Sequence, residues 1–529
     1  MSLLKIENLS VRIDAKPVLR DVSLTLAPRE ILAITGESGS GKSLTAFSIL
    51  QLLPKGADIS GTIHFGETAL TSLDEPQMCR LRGQKIGMVF QEPMTALNPV
   101  QPIGAQVAEA LRLHGRLSRR DALDRAADAL ARVGLPPAQL PLSRFPHQLS
   151  GGQRQRVVIA IAIAQKPDLL IADEPTTALD VTTQAQIIKL LQKLAREDGM
   201  GLILITHDLA VVAGTADRIA IMQHGRIVEE GKTDHLMRTR AHPYTEKLFA
   251  ATSHKVSLPA VRADQPLLTA RNVTRRYTLP RRKLFQSLGQ FEAVKNVSFT
   301  LHRGERLGLV GESGCGKSTL TRALLGLEPI QGGQITLGTR DLHPGDKADA
   351  DYHRRLQVVF QAPFGSFNPR HKVARLITEP FHLVATAPTG PDRAATIAKA
   401  LEAVGLQAQD QHRYIHEFSG GQRQRIAIAR ALITRPEAIV LDEAVSALDV
   451  SVRAQILDLL ADLCRTTGLT YLFISHDLSV VRSVTDRVLV MKSGEIVEEG
   501  ATEQVFTNPQ HPYTKMLVAA APRLPQYNR

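Results

Sequence analysis

Two short segments of this 529-residue chain combine residue types at spacings suited to gripping phosphate. Gly36, Glu37, Ser38, Gly39, Ser40, Gly41, Lys42 and Ser43 form one; Gly311, Glu312, Ser313, Gly314, Cys315, Gly316, Lys317 and Ser318 form the other. Both fit G-x-x-x-x-G-K-[ST]. Glycines let the backbone bend so that successive N–H groups converge on phosphate oxygens, and a helix starting there adds positive potential. The lysines reach β- and γ-phosphates, and the serine hydroxyls ligate Mg2+. Each segment follows an apolar, strand-like run (31–34, 307–310) and precedes a helix-like one (44–53, 319–327). A chance glycine-rich turn does not explain two copies in equivalent settings.

Carboxylates that could act on those phosphates stand at the ends of two apolar runs. Residues 169–172 lead into Asp173 and Glu174, and residues 438–441 into Asp442 and Glu443. A continuous apolar run reads as a strand buried on both faces of a largely parallel sheet, whose carboxyl edge is where ligands sit. Asp173 and Asp442 are placed to hold Mg2+ through water, and Glu174 and Glu443 to orient or deprotonate an attacking water. A lone Asp-Glu pair is ordinarily a solvated strand end; a phosphate cradle upstream in the same half changes that reading.

The elements that position these groups occur twice. Ser150, Asp173, His207 and His242 recur as Ser419, Asp442, His476 and His511, each 269 positions later. Upstream the spacing is 275 (317 against 42), because the second copy carries an insertion around 280–291. So long a unit is a duplicated domain. The boundaries read as 1–251 and 267–529, with 252–266 as a linker holding two prolines and mixed polar residues. Ser118 and Asp121 open an amphipathic run as a capping box, and Gly134 stops it.

Composition narrows the setting. The chain is 43% hydrophobic and 22% charged, with no apolar stretch near the ~18–20 residues that cross a bilayer. Its start lacks a signal-peptide core, so a cytoplasmic protein is expected. Three scattered cysteines, Cys79, Cys315 and Cys464, make no disulfide framework or metal cluster. The net charge of +12 reads either as contact with nucleic acid or an anionic membrane, or as a solvated surface; its even spread favours the second.

Cradle, Ser-Gly-Gly-Gln and Asp-Glu, in that order and twice over, resemble the ATP-binding cassette (ABC) family across nearly the whole chain. The resemblance implies two P-loop NTPase domains of α/β fold in tandem. Each would hold a mostly parallel core sheet with helices, an antiparallel β subdomain and a helical subdomain. It also implies ATP hydrolysis with Mg2+ at two composite sites. Ser419, Gly420, Gly421 and Gln422 would complete the site built on Lys42, and Ser150, Gly151, Gly152 and Gln153 the one built on Lys317. Gln91 and Gln361 match the glutamine that touches metal and attacking water, His207 and His476 the switch histidine, and Asp180 and Asp449 the loop coupling the two sites. Tyr277 matches the residue that stacks on adenine, but the first half has Ile13 there, implying weaker base contact. The second half also reads Ala444-Val445 after Asp-Glu where the first has Pro175-Thr176.

The segments Gln91–Pro99 and Gln361–Pro369, the terminal His-Pro-Tyr-Thr elements at 242–245 and 511–514, and the inserted stretch 281–285 resemble the peptide/nickel importer branch. Fusion of two cassettes resembles the ATPase of microcin C and oligopeptide importers of Gram-negative bacteria. That implies two separate permease subunits, a periplasmic binding protein, and a peripheral place on the cytoplasmic face of the inner membrane. The extra C-terminal cysteines of cluster-bearing members are missing, so no iron–sulfur cluster is expected. The rival reading is a soluble tandem cassette factor acting on ribosomes or DNA. Such translation factors carry a long charged helical linker and such repair proteins carry zinc-binding cysteines, neither of which occurs here, so no nucleic-acid partner is expected.

Overall fold

The computed structural model describes residues 2–525 except 92, 116, 178, 261–263, 280–288, 362–363 and 447. The inserted stretch 281–285 and residues 92, 362 and 363 of the importer-like segments therefore lie outside the described residues. The chain forms two compact units, built mainly from the residues up to Ser253 and from His254 to Ala521.

In the first unit a six-stranded sheet runs in the order Arg226–Lys232, Arg218–Gln223, Ile31–Thr35, Gly201–Ile205, Leu169–Asp173, Ile86–Val89. All neighbours are parallel except the edge pair Arg218–Gln223 and Arg226–Lys232. Ile31–Thr35, Leu169–Asp173 and Gly201–Ile205 are buried at every position, as their unbroken apolar sequences require. A separate antiparallel sheet holds Lys16–Leu26, Leu4–Ile13, Ala57–Phe65 and Thr68–Ala69. Helices Ile103–His114 and Arg119–Arg132 pack with Gly151–Ile163 through Val107, Leu111, Ala126, Leu130 and Val157. The Ser118 hydroxyl accepts from the Asp121 N–H at 3.1 Å and starts the helix Arg119–Arg132. The Asp121 carboxylate accepts from the Ser118 hydroxyl at 2.7 Å rather than from the Ser118 backbone N–H, so only half of the capping box forms. Gly134, at φ +78°, ends it.

The second unit repeats this plan. Its six-stranded sheet runs Leu356–Val359, Ala438–Asp442, Thr470–Ile474, Arg306–Val310, Arg487–Lys492, Glu495–Ala501. Its antiparallel sheet holds Gln290–His302, Pro266–Thr278, Gly332–Leu337 and Arg340–Leu342. No helix among the described residues is long and apolar enough to cross a membrane.

One feature distinguishes the second core. Arg306, 1% exposed, stands where the first unit has Ile31. It grips Asp486 through Nε (2.8 Å) and Nη2 (2.6 Å), and Nη2 also donates to the Pro259 carbonyl at 2.7 Å. Arg465 donates to the Ser257 carbonyl at 2.7 Å, and His254 meets Asp458 at 2.7 Å. Residues 254–259 are thus tied to the second unit by side chains, which the linker-like composition did not reveal. Removing a buried cation exposes its partner as an uncompensated charge. Arg306→Ala is expected to lower the unfolding free energy by about 3 kcal/mol in urea titration, and a loss below about 1 kcal/mol would contradict this role.

Candidate functional site

Strand order brings the chemistry together. Ile31–Thr35, Gly201–Ile205, Leu169–Asp173 and Ile86–Val89 are consecutive neighbours. Their carboxyl ends deliver, side by side, the cradle at 36–43, His207, the Asp173–Glu174 pair and Gln91. The Glu174 N–H continues the ladder by donating to the Ile205 carbonyl at 2.9 Å, and the Glu443 N–H does the same to Ile474 at 2.9 Å.

The cradle needs its glycines for two reasons. Gly36 and Gly41 sit at φ +152° and +106°, and Gly311 and Gly316 at +156° and +112°, where a side chain is strained. A Cβ on Gly36 would also stand 2.2 Å from the Met222 carbonyl oxygen, and one on Gly311 2.2 Å from that of Met491. The helices Lys42–Ile49 and Lys317–Leu324 start at the cradle, so their first N–H groups face into it, as an anion site requires. Lys42, 6% exposed, folds its ammonium back onto the carbonyls of Gly36 (2.9 Å) and Glu37 (3.0 Å). Lys317 does likewise with Gly311 (2.7 Å) and Glu312 (2.9 Å).

The glutamates emerge from their strands in the left-handed region, at φ +45° for Glu174 and +50° for Glu443. Such a backbone costs about 1–3 kcal/mol for a non-glycine residue and persists where surrounding structure enforces it. Here the turn aims each carboxylate at a histidine: His207 Nδ1 lies 3.2 Å from Glu174, and His476 Nδ1 3.4 Å from Glu443. Glu174 also accepts from Gln91 Nε2 and from the Thr177 hydroxyl, both at 2.9 Å. Burial would raise its pKa, but the hydrogen bond and charge of His207, the Thr177 hydroxyl and Lys42 together bring it down to about 2. For Glu443, burial is likewise outweighed by His476 and Lys317. Both stay ionised near neutrality. Thr177 was not singled out in the sequence; its signal is a hydroxyl three positions after the glutamate. At the matching position Ser446 turns its hydroxyl to the Glu443 backbone carbonyl at 2.9 Å.

Asp173, 2% exposed, ends the strand Leu169–Asp173, and its Oδ1 is buried with no hydrogen-bond partner. Burial raises its pKa, with a Ser43 hydrogen bond and Lys42 opposing. Asp442 is lifted to about 6, first by burial and then by the adjacent Glu443. A buried carboxylate with an open lone pair beside a serine hydroxyl is a hard oxygen set, which suits a divalent cation such as Mg2+.

Ser150 and Ser419 cap the helices Gly151–Ile163 and Gly420–Leu432, each forming a reciprocal box with Gln153 or Gln422. Serine and glutamine three apart therefore build an exposed helix N-terminus. A Cβ on Gly152 would come within 2.4 Å of Thr183 and one on Gly421 within 2.3 Å of Val452, so close packing demands glycine there. Asp180 accepts from the Thr182 hydroxyl at 2.7 Å, and Asp449 precedes the helix Val450–Thr467. Tyr277 is half-buried, with its hydroxyl on Glu328 at 2.5 Å and the Arg275 guanidinium 4.6 Å from its ring centre. Ile13 packs as a partly buried core residue.

The sequence profile of ABC transporters matches residues 19–177 and again 294–446. The chain belongs to the ABC transporter family. Its two ABC cassettes are P-loop ATPases of the kind that power transport, carried in tandem. A second profile, that of the oligopeptide/dipeptide transporter C-terminal region, matches 228–272 and 497–529. Among relatives, the glutathione import ATP-binding protein GsiA of Escherichia coli strain K12 is 46% identical over 98% of this chain and 90% of its own. The protein of the same name from Salmonella typhimurium strain LT2 is 46% identical over 95% of this chain and 86% of its own.

Proposed function

We propose that this chain is the motor subunit of an importer for peptides or peptide-like compounds, of the oligopeptide, microcin C or glutathione type. Its two domains span 1–251 and 267–529, joined by 252–266. The observation that carries the reading is the duplicated cluster of cradle lysine, strand-end carboxylates and histidine, together with the doubled C-terminal region of oligopeptide/dipeptide transporters.

Each site works on ATP held between one cradle and the other cassette's signature. Lys42 moves its ammonium from the loop carbonyls to the β- and γ-phosphates, and Ser419–Gln422 bring a helix N-terminus to the γ-phosphate. Lys317 and Ser150–Gln153 form the second pair. Ser43, Asp173 and Gln91, or Ser318, Asp442 and Gln361, would hold Mg2+, which would offset charge on the phosphates. Glu174 and Glu443 orient or deprotonate the attacking water. His207 and His476 hold the glutamates and contact the γ-phosphate when it arrives. Binding draws the cassettes together and cleavage releases them. The chain sits on the cytoplasmic face of the inner membrane beneath two permease subunits served by a periplasmic binding protein. The glutathione import for which GsiA is named fits a short peptide-like cargo.

Co-purification from detergent extracts tests this. Two hydrophobic permeases should accompany the chain. Recovery with ribosomes through high-salt washes, without permeases, would overturn the proposal.

A further inference from the structure

One contact outside this chemistry recurs in both units. The phenolic oxygen of Tyr244 accepts from the Glu37 N–H at 3.0 Å, and that of Tyr513 from the Glu312 N–H at 3.0 Å. The Glu37 N–H belongs to the same peptide group as the Gly36 carbonyl, and that carbonyl accepts from Lys42 Nζ at 2.9 Å. In the second unit the Gly311 carbonyl accepts from Lys317 Nζ at 2.7 Å. A peptide group is planar, so a hydroxyl that holds its N–H also fixes the direction of its C=O.

We propose that Tyr244 and Tyr513 are positioning residues for nucleotide binding, each setting the peptide that aims the cradle lysine at the phosphates. This rests on the reading of the cradles as ATP sites.

The surroundings hold both tyrosines rigidly. The two residues are 5% and 3% exposed, at the first turns of the helices Pro243–Thr252 and Pro512–Ala520. His242 and His511 cap those turns by accepting from the tyrosine N–H at 3.2 and 3.1 Å, and proline at the first position suits a helix start. The Glu229 carboxylate accepts from the N–H groups of Ala241 (3.0 Å) and His242 (3.1 Å) and from the Thr245 hydroxyl (2.5 Å). Glu498 accepts from the N–H groups of Gln510 (2.8 Å) and His511 (3.0 Å). Histidine, proline and tyrosine thus each have a separate task, and the C-terminal transporter region becomes part of the nucleotide site.

The test is an ATP titration of hydrolysis by the full chain carrying Tyr244→Phe and Tyr513→Phe. Loss of the hydroxyls lets the peptide turn, and KM for ATP rises about fivefold, the worth of one hydrogen bond. The rate at saturating ATP changes less than twofold, because the groups around the attacking water are untouched. Tyrosines that only pack would leave KM unaltered and lower the saturated rate through loss of folded protein; that result overturns the proposal. A second pair, Glu229→Gln with Glu498→Gln, loosens the helix starts and shifts KM the same way; an unaltered KM overturns it too. Direct ATP binding by the unsubstituted chain keeps the two ideas apart. Its absence removes the ATP site itself, whereas its presence with unaltered KM in the variants removes only the role of the tyrosines.

Discussion

Replacing both Glu174 and Glu443 by glutamine is expected to lower ATP hydrolysis by about a hundredfold or more, while ATP still binds. Each single replacement removes at least half of the activity, because both sites keep a full set of charged groups. The two glutamates share a backbone geometry. Each glutamate leaves its strand through the same left-handed turn and meets a histidine at 3.2 or 3.4 Å. Glutamine has the same shape and retains a carbonyl oxygen, but it carries no charge with which to hold a water. Steady-state phosphate release measures this. Full activity in either single variant would remove the claim that both sites turn over.

Lys42→Ala and Lys317→Ala carry the second large effect, on binding. Each lysine is 6% exposed and holds its ammonium at the mouth of the cradle on two loop carbonyls. Charge-assisted bonds to phosphate are about twice as strong as neutral ones. Losing them should weaken ATP at the altered site by about a hundredfold, corresponding to about 2.7 kcal/mol. Equilibrium binding of a fluorescent ATP analogue reads the two sites as separate phases when one lysine is removed. Unchanged affinity in either variant would mean that the cradle is not where the phosphates sit.

Much of this was legible in the sequence for a physical reason. Runs such as 169–172 and 202–205 have no polar position to face solvent, so they had to lie inside a sheet covered on both sides. Glycines at fixed offsets before Lys42 and Lys317 marked backbone that only glycine adopts. Ser150 and Gln153, three apart ahead of an apolar run, announced a capped helix start.

What stayed hidden depends on contacts between distant residues. Nothing near Tyr244 in the chain points to Glu37, which is 207 positions away. The grip of Arg306 on Asp486 and Pro259 likewise joins three separate segments. Composition made 252–266 read as a plain linker, since proline and polar residues say nothing about what a buried arginine will seize. The left-handed turn at Glu174 and Glu443 was also unreadable, because glutamate has no preference for that region and only the surrounding ladder imposes it.

Phosphate release from ATP by the purified chain, with magnesium and with its permeases reconstituted in vesicles, is the most direct measurement. The expected result is hydrolysis that needs the lysine and glutamate of both halves and ceases when magnesium is removed. Protein that neither bound nor cleaved ATP in that assembly would contradict it.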